Sequence, residues 1–97
     1  MHHYYVYIMT NKPNGVLYVG FTSNLLKRIY EHKNNITAGF TSKYKLHKLV
    51  YYDYTNDVNA AISHEKRLKK WNRQWKIDLV TKFNPSWEDL FYKVSNQ

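Results

Sequence analysis

Glu65 stands alone among apolar neighbours. On a helix turning about 100° per residue, Val58, Ala61, Ile62, Leu68 and Leu79 all fall within roughly 60° of it. A carboxylate so placed can hold a hard divalent cation or keep a charge for chemistry. It can equally sit at the edge of the packed region or pair with a lysine. Arg28 and His32, four residues apart, share a helix side with Leu25. They offer a fixed cation for phosphate and an imidazole for a proton, or are plain surface groups. Tyr7 and Tyr18 alternate away from Val6 and Leu17, so two phenols project together, for packing or for orienting water. Lys66, Arg67, Lys69, Lys70, Arg73 and Lys76 give residues 64–76 six positive charges against Glu65 alone, beside Trp71 and Trp75. Such a run is a solvated helix face with a core Trp pair, or a surface that grips a phosphate backbone.

Other chemistries lack their residues. Without Cys there is no thiolate nucleophile, disulfide or Cys-based zinc site. His2, His3, His47 and His64 lack metal-ligand spacing. The remaining acids, Glu31, Asp53, Asp57, Asp78, Glu88 and Asp89, form no close pair for a two-metal or paired-carboxylate site. The sequence has no Gly-rich phosphate loop and no G-x-S-x-G elbow.

The elements that must position these residues follow from pattern. Residues 4–9 and 16–21 are β-branched and aromatic runs around Thr10-Asn11-Lys12-Pro13-Asn14-Gly15, a hairpin signal. Placing Val6, Ile8, Leu17 and Val19 on one core face sets 6 opposite 19, 7 opposite 18 and 8 opposite 17, with 11–14 as the loop. Thr22-Ser23-Asn24 offers N-caps for a helix running to about Asn34. Residues 46–54 read as a third strand. Asp57 caps one long helix over 58–80, and Ser86 with Asp89 forms a capping box for a last short helix. The predicted order is β-β-α-β-α-α, an α+β fold in one domain over residues 1–97.

A net charge of +8, from 15 Lys and Arg against 7 Asp and Glu, directs the chain to phosphate polymers or anionic membranes. The apolar share, 43%, supports a small core, and ten tyrosines supply most of its rings. No apolar run nears the roughly 20 residues of a membrane span, and Met1-His2-His3-Tyr4 does not open a signal peptide. The expected location is cytoplasmic.

Taken together, Tyr5-Val6-Tyr7, Tyr18-Val19-Gly20, Arg28 eight residues beyond Gly20, His32 one turn later and the isolated Glu65 resemble the GIY-YIG nuclease superfamily. Phe40-Thr41-Ser42-Lys43-Tyr44 and the ending Asn84-Pro85-x-Trp87-x-Asp89-Leu90 resemble its small stand-alone bacterial members. The resemblance implies a three-stranded antiparallel sheet flanked by helices, and hydrolysis of DNA phosphodiesters with one Mg²⁺ or Mn²⁺ ion. It implies that Glu65 holds the metal, Tyr18 orients or deprotonates the attacking water, and Tyr7 hydrogen-bonds within the same site. Arg28 would stabilise phosphate charge, His32 would assist proton transfer or phosphate positioning, and Gly20 would allow close backbone approach. Lys66, Arg67, Lys69, Lys70 and Arg73 are the expected contacts to the nucleic acid, DNA or alternatively RNA, with a partner protein available for targeting. Three positions depart from the pattern. Tyr5 stands where Gly is frequent, Phe21 where the excision-repair branch has Lys, and the metal-assisting Asn has only Asn72 and Asn84 as counterparts. A second expectation is therefore a nucleic-acid-binding module of the same fold with little or no catalysis.

Overall fold

The first two strands, β1 (Tyr4–Thr10) and β2 (Leu17–Thr22), form the expected hairpin in a computed structural model that describes residues 3–36 and 39–95. Met1 and His2, with the leader reading that rests on them, lie outside the described residues. The register differs from expectation. Val6 pairs with Phe21, Tyr7 with Gly20, Ile8 with Val19 and Met9 with Tyr18, a slip of two residues that lengthens the loop to 11–16. The cause is local hydrogen bonding. Gly15 N–H donates to the Lys12 carbonyl at 2.9 Å across Pro13 and a left-handed Asn14 (φ 57°), and Asn11 Oδ1 accepts from Val16 N–H at 3.0 Å. A slip of two leaves every side chain on its original face. Tyr7 and Tyr18 thus still share a face, as diagonal neighbours rather than direct partners.

β3 (Lys48–Thr55) pairs with the other side of β1, giving sheet order β2-β1-β3 with every pairing antiparallel. Ile8 faces Tyr51 while Met9 faces Leu49, so Val50 is an extra residue. That bulge sends Leu49 into one core and both Val50 and Tyr51 into the other.

The helices begin at side-chain caps. Asn24 accepts from Lys27 N–H to start α1 (Leu25–Lys33), and Asp57 accepts from Asn59 and Ala60 N–H to start α3 (Val58–Lys70). Between α1 and β3 lies a single turn, α2 (Phe40–Lys43), too short to leave a periodic signature. The long helix expected over 58–80 is two helices. Trp71 turns extended (φ −62°, ψ 146°) and Asn72 accepts from Trp75 N–H to cap α4 (Arg73–Phe83). Apolar spacing ran on through this break because both helices bury their apolar sides in one core. The capping box is absent as well. Ser86 is exposed, and it is Asp89 that accepts from Phe91 N–H at 3.0 Å to open α5 (Phe91–Ser95). Asp89 also pairs with Lys33 and accepts from Leu49 N–H, tying the chain's end to α1 and β3.

Two cores result. Val6, Ile8, Val19, Val50 and Tyr51 pack beneath Ala61 and Leu68 of α3 and Val80 of α4. On the opposite face, Tyr7, Met9 and Leu49 pack with Leu25 and Ile29 of α1 and with Leu90. No helix among the described residues is long and apolar enough to cross a membrane.

Gly20 is where the sheet has no room. A Cβ there would lie 2.3 Å from Tyr7 Cζ and 2.4 Å from Tyr7 Oη, so the Tyr7 ring covers the space a side chain would fill. Gly20→Ala is expected to cost about 1–3 kcal/mol, read by circular dichroism as a Tm lower by roughly 5–20 °C for a domain of this size. In a Tyr7→Leu background most of that loss should vanish; an equal loss in both backgrounds would place the clash elsewhere.

Candidate active site

Tyr7 projects from the central strand beneath α1 and is 1% exposed. A phenol so buried must be satisfied internally. Its Oη lies 3.0 Å from His32 Nε2, and His32 Nδ1 lies 3.0 Å from Thr41 Oγ1 on α2, both contacts buried. Burial raises the pKa of Tyr7, with Tyr18, Glu65 and Glu31 adding to the rise and the Arg28 guanidinium opposing it. Burial, and next Arg28, lowers the pKa of His32, while Glu31 opposes. Both groups are therefore neutral at pH 7. A phenol O–H donating to Nε2, with Nδ1–H donating to Thr41 Oγ1, leaves neither of those protons unpaired.

Tyr18, on edge strand β2, is only partly buried. Its ring lies 5.8 Å from that of His32 and 6.4 Å from that of Tyr7. The two phenols thus differ in situation: Tyr7 is buried and anchors the imidazole, while Tyr18 is partly exposed beside it. Arg28, one turn before His32, is half-buried, with Nη1 3.7 Å from Glu31 Oε1. With Lys27 and Glu31 it lines a polar cleft of about 310 Å³. A partly exposed guanidinium in such a cleft can meet a phosphate without first being uncovered.

Glu65 approaches from elsewhere. It lies on α3, which packs on the other face of the sheet, and its carboxylate is paired with Lys69 Nζ at 3.3 Å. It is joined to the tyrosine cluster through its field, which raises the pKa of Tyr7. Both readings of Glu65 therefore have a counterpart, a lysine pair and a charge acting on the candidate site. Among the described residues no three His, Cys, Asp or Glu side chains could hold a metal ion together. One half-screened carboxylate suits a hard cation that keeps its waters and takes further oxygens from a substrate; it does not suit a protein-caged ion. The half-exposed i,i+4 pair with Lys69 is worth only about 0.3–0.5 kcal/mol, so it would yield to such a cation.

The cations divide. Lys66, Arg67 and Lys70 are exposed on α3. Arg73 is committed elsewhere: its Nη2 donates to the carbonyls of Asn14 at 2.5 Å and Gly15 at 2.7 Å, tying α4 to the hairpin loop. The Trp pair is half core, since Trp71 packs inside while Trp75 is 55% exposed, edge-on at 5.8 Å. Asn72 is the α4 cap, and Asn84, buried, donates to the carbonyls of Val50 and Glu88. Both asparagines have structural tasks away from the tyrosines. Thr41 was not singled out from sequence. It lies in a polar stretch with no periodicity, and only the location of α2 reveals its bond to His32.

Residues 3–78 match the GIY-YIG catalytic domain. The chain is 39% identical over 77 residues to a UPF0213 protein of Clostridium perfringens, covering 79% of this chain and 82% of that protein. It is 32% identical over 81 residues to one of Staphylococcus saprophyticus, covering 84% and 98%. The solution NMR structure of a UPF0213 protein from Bacillus halodurans superposes with a TM-score of 0.50 at 26% identity, over 84% of each chain.

Two outcomes follow from the buried relay. His32 has a folded pKa below its unfolded value of about 6.5, so the unfolded chain binds the extra proton. Its contribution to stability is complete above about pH 6.5 and shrinks as pH falls from there toward the folded pKa. Chemical denaturation across pH 5–8 should show this decline, and His32→Gln should flatten it; an unchanged slope would mean that His32 protonates without penalty. Thr41→Val leaves Nδ1 buried without a partner and is expected to cost about 1–3 kcal/mol by the same measurement.

Proposed function

Because the chain belongs to the GIY-YIG family, we propose that it is a metal-dependent endonuclease that hydrolyses phosphodiester bonds in DNA. The observation that carries this reading is the grouping on one sheet face of the partly buried Tyr18, a buried Tyr7–His32 pair and the Arg28 guanidinium of α1, with the Glu65 charge acting there. Hydrolysis needs a water oriented toward phosphorus, a place for its proton, and positive charge against the oxygens as the P–O bond breaks. Tyr18 orients the water and takes its proton. A neutral phenol is a poor base, so Tyr18 depends on positive charge nearby. Arg28 supplies part of it and holds a phosphate oxygen. Glu65 would hold a Mg²⁺ or Mn²⁺ ion, which when bound supplies Lewis-acid polarisation of the phosphate. His32 acts by fixing Tyr7, because both its ring nitrogens are engaged within the fold.

The exposed Lys66, Arg67 and Lys70, within a net charge of +8, hold the backbone of the nucleic acid. One observation favours a second reading. Lys69 already pairs with Glu65, and Phe21 follows Gly20, as a module that binds nucleic acid with little catalysis would have it.

A cleavage panel of duplex, nicked, branched and single-stranded DNA at low salt, with Mg²⁺ or Mn²⁺, separates the two. Chelation should abolish cutting. Glu65→Gln, Arg28→Ala and Tyr18→Phe should each reduce kcat by roughly 10²-fold or more while leaving the circular dichroism spectrum unchanged. A wild-type chain that binds these DNAs with steep salt dependence yet cuts none of them would establish the second reading instead.

A further inference from the structure

The aromatic face extends beyond Tyr7. On β1 and β3, Tyr5 stands opposite Tyr54 as Tyr7 stands opposite Tyr52. The Tyr5 and Tyr54 rings lie 5.9 Å apart, and His3 joins them edge-on at 5.4 Å from Tyr54. With Tyr52 and Val94 these residues line a cleft of about 300 Å³, at the small end of the volumes that hold ligands. Unlike the core rings, Tyr54 is 59% exposed. Within the group His3 Nδ1 is buried and, among the described residues, has no hydrogen-bond partner, an uncommon state.

A cleft lined by His3, Tyr5, Tyr52 and the exposed Tyr54 matches a nucleobase, which is flat, aromatic and edged with donors and acceptors. Charge agrees. Tyr54 also lines a neighbouring cleft with Arg67, His64 and Asp53, where His64 Nδ1 lies 3.8 Å from Asp53 Oδ2. Arg67 of α3 thus adds a cation to the cleft that Tyr54 borders, across the sheet from Tyr5 and Tyr52. Tyr5 precedes Tyr7 by two residues on one strand face, roughly 7 Å, so the cleft adjoins the phenol cluster. Bases inside a duplex are stacked on each other and shielded. Only an unpaired base can enter.

We propose that His3, Tyr5, Tyr52 and Tyr54 form a stacking platform for an unpaired base next to the cleaved bond, which makes DNA with unpaired nucleotides the substrate class. The platform rests on the endonuclease reading of the adjoining site. Fluorescence anisotropy in EDTA tests it without cleavage, with a labelled single strand and the same sequence as a blunt duplex. Wild-type protein should prefer the single strand. Tyr54→Ala should weaken single-strand binding roughly tenfold and duplex binding by less than about twofold, and Tyr54→Trp should restore the preference. Equal weakening of both, or of neither, overturns the platform and is the result expected of rings that only pack or that dock a protein. Because no metal is present, the two readings fail separately. A Tyr54-dependent preference in a chain that never cuts with Mg²⁺ keeps the platform and removes the nuclease. Cleavage of unpaired strands that is indifferent to Tyr54→Ala does the reverse.

Discussion

Tyr7 is held between a glycine and a histidine, and much of the molecule is arranged by that constraint. Its ring needs the space over Gly20, and its hydroxyl needs His32. The first requirement suits only one hairpin register, the one in which Gly20 stands directly opposite. The second sets the rotation of α1, because His32 must point inward along with Leu25 and Ile29. Through His32 the same chain of hydrogen bonds reaches Thr41 and so locates α2. An unsatisfied phenol or imidazole here would cost about 1–3 kcal/mol, a large fraction of the stability of a small domain. The relay is therefore as much a packing device as a chemical one.

That constraint also sorts the site into two kinds of residue. Tyr7, His32 and Thr41 are buried and spend their polar atoms on one another. Tyr18, Arg28 and Glu65 stand around them, partly exposed, two of them charged. Buried neutral groups lose little by leaving water once they are paired, whereas buried charges lose a great deal. Cores this small can accordingly support an electrostatic site only if the charges remain at their margin. The two cores, one beneath α3 and α4 and one beneath α1 and α5, meet at the sheet, and the charged groups come to that margin from both sides.

Much of this was legible in the sequence, and the exceptions have physical causes. Strand faces were readable because alternation has a period of two, and the two-residue slip of the hairpin preserves it. Register was not, since it depends on Asn11 closing the loop through its side chain. The break at Trp71 was hidden by apolar spacing that continues into α4, although Asn72 is a good cap residue. Arg73 looked like part of a basic run because its carbonyl partners, Asn14 and Gly15, lie nearly sixty positions away in sequence. Tyr7, Tyr18, Arg28, His32 and Glu65 stood out by type and spacing. Their neighbour Thr41 did not, because a threonine in a polar stretch is unremarkable until its partner is known, and Lys69, expected to meet nucleic acid, is paired with Glu65 instead.

The pairing of Glu65 with Lys69 bears on how a one-carboxylate site can function at all. The field of the Glu65 carboxylate reaches the buried phenol from across the sheet and adds to the raised pKa of Tyr7. Lys69 offsets it at little energetic cost to either partner, because exposed i,i+4 pairs are weak. A divalent cation brings twice the charge of the ammonium and accepts oxygens from a phosphate that the ammonium can only hydrogen-bond. Exchange of one for the other would leave the folded chain nearly unchanged, since Lys69 is half exposed and can swing into solvent. The proposed reading therefore requires no preformed metal cage. It would require only a carboxylate at the sheet margin, a replaceable cation beside it, and the Tyr7–His32–Thr41 relay to fix the elements that carry Tyr18 and Arg28.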